Sequence, residues 1–381
     1  MLCIRNGIIH DMVNPEAYEG DILMDGGKIT AIGKNLDIPE GAQVYDADRK
    51  DVYPGFVDAH SHLGLDGYGI GFEGQDYNER NDICTPQLRG IDSFNPMDPS
   101  VAMAAKGGVT CVGTGPGSSN VLGGTFFAVK TAGHCVDDMI VKNPIAMKCA
   151  FGENPKRCYK DVNNYARMST ASKLREMLMR AQDYKARKEA AGDDPLKRPA
   201  FDMKLEAMIP VLEKKIPLKA HAHQANDILT AIRIAKEFDV DMTLEHCTEG
   251  HLIVDEMVKA GFPCAVGPSF GNATKVELKN KTWETPGILA AAGCQVSIIT
   301  DAPVTPQQYL PLCAGFAVKA GMDPYEALKA ITINPAKHLG VADRVGSLEV
   351  GKDGDVVVFE GSPMEIASKP LLVVINGEKI S

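Results

Sequence analysis

The chain has 381 residues, of which 44% are hydrophobic and 24% are charged, a composition typical of a globular protein with a full core. Its formal net charge of -10 argues against nucleic acid or an anionic membrane as the main partner, since both attract clusters of Lys and Arg. The sequence has neither the apolar run of a membrane span nor the start of a signal peptide, so we expect a cytoplasmic protein.

The two ends of the chain share a pattern that differs from the middle. Residues 2–53 alternate short β patterns with turns, and β patterns return after residue 340. We therefore predict that residues 1–53 and 340–381 pack together as one small β-sandwich domain, which would hide otherwise exposed strand edges.

Strand and helix patterns alternate over residues 54–339, which is about the length of a (β/α)₈ barrel. The predicted fold class is therefore α/β, a TIM-type (β/α)₈ barrel over residues 54–339 beside the terminal β-sandwich. The predicted barrel strands cover residues 53–62, 108–113, 144–151, 216–223, 241–246, 263–267 and 295–301. The main predicted helices cover residues 170–190, 202–214 and 227–238. Residues 64–89 are predicted to form a long loop over the barrel mouth, of the kind that often acts as a lid.

Two histidines stand at the end of the first predicted barrel strand, in the segment PGFVDAHSH over residues 54–62. Side chains two positions apart on a strand point to the same face, so His60 and His62 can share a metal ion. Taken alone, such a pair is at least as often two ordinary polar residues at a strand end.

Four of the predicted parallel strands end in residue types that bind metals. These residues are His60, His62, His221, His223, His246 and Asp301. In a barrel such strand ends converge on one face, where barrel enzymes place their chemistry. Each residue alone is weak evidence, but four separate strands with this ending indicate a shared metal site.

With these motifs the chain resembles the amidohydrolase superfamily, in the branch of imidazolonepropionase-like and prolidase-like metal-dependent hydrolases. The resemblance covers nearly the whole chain. It includes NG at residues 6–7, DILMDGGKI at 21–29, the histidine motif, EH at 245–246, NPA at 334–336 and GSLEVGKDGD at 346–355. The histidine motif is the most specific of these, and the first and last segments mark the split sandwich of the family.

The resemblance implies a set of metal ligands. His60 and His62 would bind from the first strand, His221 from the fifth and His246 from the sixth, while Asp301 on the eighth would both touch the metal and move protons. Imidazole and carboxylate ligands suit Zn²⁺, with Mn²⁺ and Fe²⁺ as alternatives, and one or two ions are expected.

Two residues are candidates for the group that bridges the ions in two-metal members. Lys148 lies within its predicted strand, as the carbamylated lysine of the family does, and a desolvated lysine has the lowered pKa that carbamylation needs. Glu153 follows the end of that strand, as in members that use a carboxylate. We favour Lys148, with an ordinary salt-bridged lysine as the alternative.

The implied activity is metal-dependent hydrolysis of a C–N bond in a small amide, lactam, N-acyl amino acid or dipeptide. A metal lowers the pKa of water, Asp301 would serve as general acid and base, and His223 or His246 would help to polarise the substrate carbonyl. His223 could equally be structural. The alternatives are hydrolytic deamination of an aminated heterocycle and a catalytically inactive barrel scaffold. The oligomeric state is open, with a homo-oligomer as one alternative.

Several polar side chains in loops near the predicted mouth are candidates for binding a small-molecule substrate. They are Tyr68, Arg89, Asn120, Arg157, Tyr159, Arg167 and His251. An arginine among them could hold a substrate carboxylate through two hydrogen bonds, although most loop arginines are simply solvated.

Overall fold

A computed structural model describes residues 1–69 and 71–380, which form two eight-stranded sheets and the helices around them. The strands are β1 (Leu2–Ile9), β2 (Tyr18–Asp25), β3 (Lys28–Gly33), β4 (Gln43–Asp46), β5 (Asp51–Pro54), β6 (Phe56–Ser61), β7 (Val109–Thr114), β8 (Leu122–Lys130), β9 (Ile140–Ala150), β10 (Leu218–Ala222), β11 (Met242–His246), β12 (Cys264–Val266), β13 (Val296–Ile298), β14 (Val356–Phe359), β15 (Pro370–Ile375) and β16 (Glu378–Lys379).

The α-helices lie mainly between the barrel strands. They are α1 (Pro99–Lys106), α2 (Val136–Met139), α3 (Glu153–Cys158), α4 (Arg167–Ala191), α5 (Met203–Leu212), α6 (Ala225–Phe238), α7 (Val254–Ala260), α8 (Glu284–Ala291), α9 (Leu310–Lys319), α10 (Pro324–Lys329) and α11 (Ile333–His338). No helix in the described part of the chain is both long enough and apolar enough to cross a bilayer.

Strands β6 to β13 form a nearly closed barrel sheet. Backbone hydrogen bonds join its two ends, since the Asp301 N–H donates to the His60 carbonyl (3.2 Å) and the His62 N–H donates to the Ala302 carbonyl (2.8 Å). Strands β6 and β7 are buried along their whole length, as expected where parallel strands are covered on both faces.

The barrel departs from a regular (β/α)₈ arrangement at β8, which runs antiparallel to both β7 and β9. Only residues 115–121 connect β7 to β8. A parallel neighbour needs a crossover of a dozen residues or more, so this short connection makes the chain turn back as an antiparallel strand. The prediction of a uniform strand–helix alternation was wrong in this part of the sheet.

An amphipathic helix shows how the outer layer covers the barrel. In α6 the apolar residues Ile228, Ala231, Ile232 and Ala235 are buried, with the spacing of a single helix face, and they belong to the large core under α4 and α5. The barrel strands are thereby held in place, and with them the residues at their carboxyl ends.

The second sheet combines both ends of the chain in the order β16-β15-β14-β5-β1-β2-β3, with β4 beside β1. Strand β14, from the end of the chain, pairs antiparallel with β5, from its beginning. The predicted association of the two ends is therefore present as a sheet. A two-layer sandwich and the exact domain limits at residues 53 and 340 stay predictions.

Buried charges fix this terminal sheet to the barrel. The Lys130 ammonium at the end of β8 lies 2.6 Å from Asp355 Oδ2 and 3.0 Å from Asp353 Oδ2, and all three side chains are almost completely buried. Because a buried charge without a partner is costly, these pairs hold the two sheets in one relative position.

Candidate active site

Three side chains meet where the first and last barrel strands come together. His60 Nε2 lies 3.5 Å and His62 Nε2 lies 3.3 Å from Asp301 Oδ1. Hydrogen bonds hold each ring from behind, because His60 Nδ1 bonds Glu245 Oε2 and His62 Nδ1 donates to the Gly115 carbonyl, both at 2.8 Å. With Nδ1 protonated, each Nε2 keeps a lone pair directed at the carboxylate.

A second group consists of three histidines at the ends of β10 and β11. The ring centres of His221 and His246 are 4.3 Å apart, and those of His221 and His223 are 4.6 Å apart. His246 Nδ1 donates to the Gly267 carbonyl (2.8 Å), and His223 Nδ1 is hydrogen-bonded to Thr248 Oγ1 (2.7 Å). In each of the two groups the possible ligand atoms lie within 4.8 Å of one another.

Burial sets the protonation states of both groups. It holds the pKa of His60, His221 and His223 well below the usual 6.5, because a buried imidazole resists the charged form, and it lowers the pKa of His246 to about 4. For Asp301, burial acts to raise the pKa, but the neighbouring histidines, His246 first, hold it well below its usual range. Neutral imidazoles and an ionised carboxylate are the forms that bind divalent cations.

Unpartnered polar atoms provide a test of whether a cation fits. Among the described residues, Nδ1 and Nε2 of His221 and Oδ1 of Asp301 are buried without a hydrogen-bond partner. Leaving such an atom unpaired costs about 1–3 kcal/mol, a cost that a bound cation would offset. Imidazole nitrogens with a carboxylate oxygen are a typical Zn²⁺ donor set. The two groups therefore fit divalent cations.

The backbone at two of these residues adopts the left-handed conformation, with φ of 51° at Asp301 and 73° at His246. A residue with a side chain costs about 1–2 kcal/mol in this region. Such positions persist where surrounding contacts fix them, and they cluster at functional sites. At Asp301 the backbone N–H is fixed by its hydrogen bond to His60.

The structure separates the two candidates for a bridging group. Lys148 on β9 is fully buried, with Nζ 3.1 Å from His60 Nε2 and 5.4 Å from the centre of the Phe126 ring. Burial lowers the pKa of Lys148 to about 8. Glu153, the first residue of α3, instead accepts the Glu277 backbone N–H at Oε1 (2.9 Å). Lys148 therefore lies next to the first group of candidate ligands, and the Glu153 carboxylate is engaged elsewhere.

Sequence reasoning missed a buried carboxylate behind the first group. Glu245 Oε2 accepts from Lys219 Nζ (2.9 Å) as well as from His60, and Oε1 lies 2.9 Å from His338 Nε2 and 2.6 Å from Thr243 Oγ1. Burial alone would raise the pKa of Glu245, but Lys219 and His338 hold it well below 4.5. The available signal was the presence of charged residues inside otherwise apolar strands, since such residues are rarely buried without partners.

Both groups open onto a cavity of about 430 Å³. Its floor includes His62, His221, His223 and Asp301, and part of its wall comes from the segment 268–281, which follows β12. A cavity of this size suits a small molecule.

The candidate substrate residues differ in where they lie. Arg157 lines the cavity as expected. Asn120 and Tyr159 instead hold a loop, because Asn120 Nδ2 donates to the carbonyls of Glu79 (2.6 Å) and Asp82 (2.7 Å), and the Tyr159 hydroxyl donates to the carbonyl of Asp82 (2.9 Å). Their side-chain hydrogen bonds are used for structure.

The remaining candidates lie away from the cavity. Tyr68 is 53% exposed and lines a smaller neighbouring pocket. The other three candidates each contact a side chain outside the cavity. Arg167 pairs with Asp227 (3.0 Å), Arg89 pairs with Asp92 (2.8 Å), and His251 is hydrogen-bonded to Thr285 (2.9 Å). These positions give no support to a role for the four residues in substrate binding.

Comparison with known proteins shows the family of this chain. The family model described as "Amidohydrolase family" matches residues 52–380. The chain belongs to the amidohydrolase family. The resemblance inferred from the histidine motif is thereby confirmed.

Individual relatives match most of the length of this chain. It is 29% identical over 390 residues to amidohydrolase tasK of Hapsidospora irregularis, a match that covers 94% of this chain but only 39% of that protein. It is 24% identical to an imidazolonepropionase of Streptomyces griseus, with 93% and 89% of the two chains covered. A crystal structure of an amidohydrolase from Thermotoga maritima MSB8 superposes with a TM-score of 0.96 at 39% identity, and covers both chains completely.

Proposed function

We propose that this amidohydrolase is a metal-dependent enzyme that hydrolyses a C–N bond in a small amide, lactam, N-acyl amino acid or dipeptide. The observation that carries the proposal is the pair of buried ligand groups beneath one cavity, one containing Asp301 and the other formed by three histidines. A scaffold or binding protein has no need of an ionised carboxylate buried among neutral imidazoles. Small-molecule substrate, cytoplasmic location and oligomeric state stay predictions.

The ligand groups suggest which residues would hold cations. His60, His62 and Asp301 would hold one, and His221 and His246 would hold a second. When bound, such a cation polarises a carbonyl and lowers the pKa of water, which provides a nucleophile at neutral pH. Zn²⁺ is the favoured ion because of the donor types.

The environment of Lys148 suits carbamylation. A neutral lysine amine can attack CO₂ to form a carbamate with release of a proton, and burial lowers the pKa of Lys148 to about 8, which increases the neutral fraction. The carbamate would add a carboxylate ligand beside His60. This role is part of our proposal.

Asp301 and His223 have complementary roles in the proposed reaction. The ionised Asp301 carboxylate would accept a proton from the attacking water and return it to the leaving nitrogen. At His223, the Thr248 hydroxyl can donate to Nδ1, which leaves Nε2–H as a donor toward the substrate carbonyl oxygen. The charge that develops on this oxygen would be stabilised by that hydrogen bond.

The proposal can be tested with metal-reconstituted protein and a panel of N-acyl amino acids, dipeptides, lactams and aminated heterocycles. We expect C–N hydrolysis in the first three classes, and Asp301→Asn should lower turnover by about 10²–10⁴-fold while the histidine ligands still hold metal. Ammonia release from the heterocycles alone would favour the deaminase alternative. A well-folded protein that binds no metal and turns over nothing would indicate a scaffold.

A further inference from the structure

A buried carboxylate holds the segment 268–281 against the site. Glu277 Oε2 accepts the Glu153 backbone N–H (2.8 Å), and the Glu277 N–H donates in return to Glu153 Oε1 (2.9 Å). Gly152 makes room for this contact, because a Cβ atom there would lie 2.5 Å from Glu277 Oε2. Glu277 Oε1 is 3.7 Å from His223 Nε2. The segment is therefore fixed next to the second ligand group.

This anchor positions an ammonium group at the cavity wall. Lys275 Nζ donates to Glu277 Oε1 (2.9 Å) and to Asn154 Oδ1 (3.2 Å), and the side chain is 17% exposed where it lines the cavity. A lysine ammonium has three donors and the described residues accept from two of them, so one remains for a ligand. Glu277 Oε1 lies 2.9 Å from Lys275 Nζ and 3.7 Å from His223 Nε2. The Lys275 ammonium is therefore close to the His223 imidazole.

Two further cationic side chains line the cavity. They are Arg157 and Lys281, whereas the charge of Lys275 is paired with Glu277. Lys281 Nζ donates to the carbonyl oxygens of Phe270 and Gly271, both at 2.9 Å, so its described partners neutralise none of its charge. Cations in a cleft raise the local concentration of anions. An anionic group of the substrate is therefore favoured at this wall.

We propose that Lys275 binds the carboxylate of the substrate, and that the enzyme acts on N-acyl α-amino acids or dipeptides with a free carboxylate next to the leaving nitrogen. In these molecules three bonds of about 1.3–1.5 Å separate the scissile carbonyl carbon from the carboxylate carbon. A substrate of this kind can place its scissile carbonyl near His223 and its carboxylate near Lys275 at the same time. The inference rests on the proposed function and narrows it to one substrate class.

The test compares matched substrates on the metal-loaded enzyme. Each N-acetyl amino acid is paired with its uncharged amide, and Lys275→Met is compared with Lys279→Met, which removes an exposed lysine of the same segment. Lys275→Met should lower kcat/KM for the acid by about 10–100-fold, mainly through a higher KM. It should change kcat/KM for the amide by less than about 3-fold. Lys279→Met should behave like wild type, and Lys275→Arg should restore part of the preference.

Several outcomes would overturn the inference. A wild-type enzyme that does not prefer the acid, or an equal loss on acid and amide in Lys275→Met, means that Lys275 has only a structural role. If no substrate is turned over, calorimetry can measure the binding of the acid and of the amide to the zinc-loaded protein. The difference between their affinities then tests the role of Lys275. Acid-selective binding that Lys275→Met abolishes supports the anion site even though the proposed hydrolysis fails, and unselective binding refutes it.

Discussion

Replacing Glu245 by Gln should weaken both the fold and the first ligand group. The carboxylate is completely buried and contacts His60 Nδ1 (2.8 Å), Lys219 Nζ (2.9 Å) and His338 Nε2 (2.9 Å). Glutamine has nearly the same shape, but it carries no charge and has a donor in place of one acceptor. One or more of these contacts must therefore be lost.

The size of the effect follows from what remains around Lys219. Its other described partners are the Ala59 carbonyl (2.9 Å) and His338 Nε2 (3.3 Å), neither of which neutralises the ammonium. Removing one partner of a buried ion pair costs about 3–5 kcal/mol. The loss of the hydrogen bond that orients His60 should in addition lower zinc affinity by about 10–100-fold.

Urea unfolding of the metal-free protein and competitive zinc titration measure these two effects separately. Glu249→Gln is a matched control, since this buried carboxylate accepts from the Ala225 N–H and from Asn280 Nδ2, both at 2.8 Å, and these donors are neutral. The control should lose no more than about 1–3 kcal/mol and should retain its zinc affinity. If Glu245→Gln matches wild type in both measurements, the assigned role of this carboxylate is wrong.

Three further variants test other parts of the structure. Lys130→Met should cost about 3–5 kcal/mol of unfolding free energy at pH 7. Burial alone would raise the pKa of Asp353, but its cationic partners, Lys130 first, hold this pKa below 3.8. The unfolding free energy lost in Lys130→Met should therefore be largest above pH 3.8 and should shrink as pH falls through the depressed pKa. Urea unfolding at pH 7 and pH 3 measures this difference. Gly152→Ala should cost at least about 1–3 kcal/mol in urea unfolding, because φ is 79° there and the added Cβ meets Glu277. Lys148→Met should remove one of two bound zinc ions per chain in elemental analysis, and retention of both would argue against a bridging carbamate.

The strand-end residues could be predicted because the strands themselves deliver them. His60 lies on β6 and His62 directly follows it, as the alternation of side chains requires, while His221 is the last but one residue of β10 and His246 is the last residue of β11. No contact distant in the sequence has to be known beforehand, because parallel barrel strands bring their carboxyl ends to one face. Residue type and position on a strand were sufficient.

The antiparallel strand β8 escaped prediction for a different reason. Its sequence LGGTFFAVK is apolar but contains two adjacent glycines, and glycine inside a strand lowers the strength of a β pattern. The expected alternation of strand and helix also left no place for it. Its direction is set by the short connection over residues 115–121, and connection length is a better guide here than residue pattern.

Loop residues could not be predicted in the same way, because other loops place them. Asn120 lies just before β8 and Tyr159 directly follows α3, yet both use their side-chain groups on the loop that contains Asp82. Lys275 lies nine residues beyond the end of β12, and it reaches the cavity because Glu277 is tied to the first residue of α3. Which loop residue is free to bind a ligand depends on which of its donors the folded chain has already used. In our proposal, a spare donor on a partly buried cation, rather than closeness to a strand end, is therefore the feature that distinguishes Lys275 from the other loop residues.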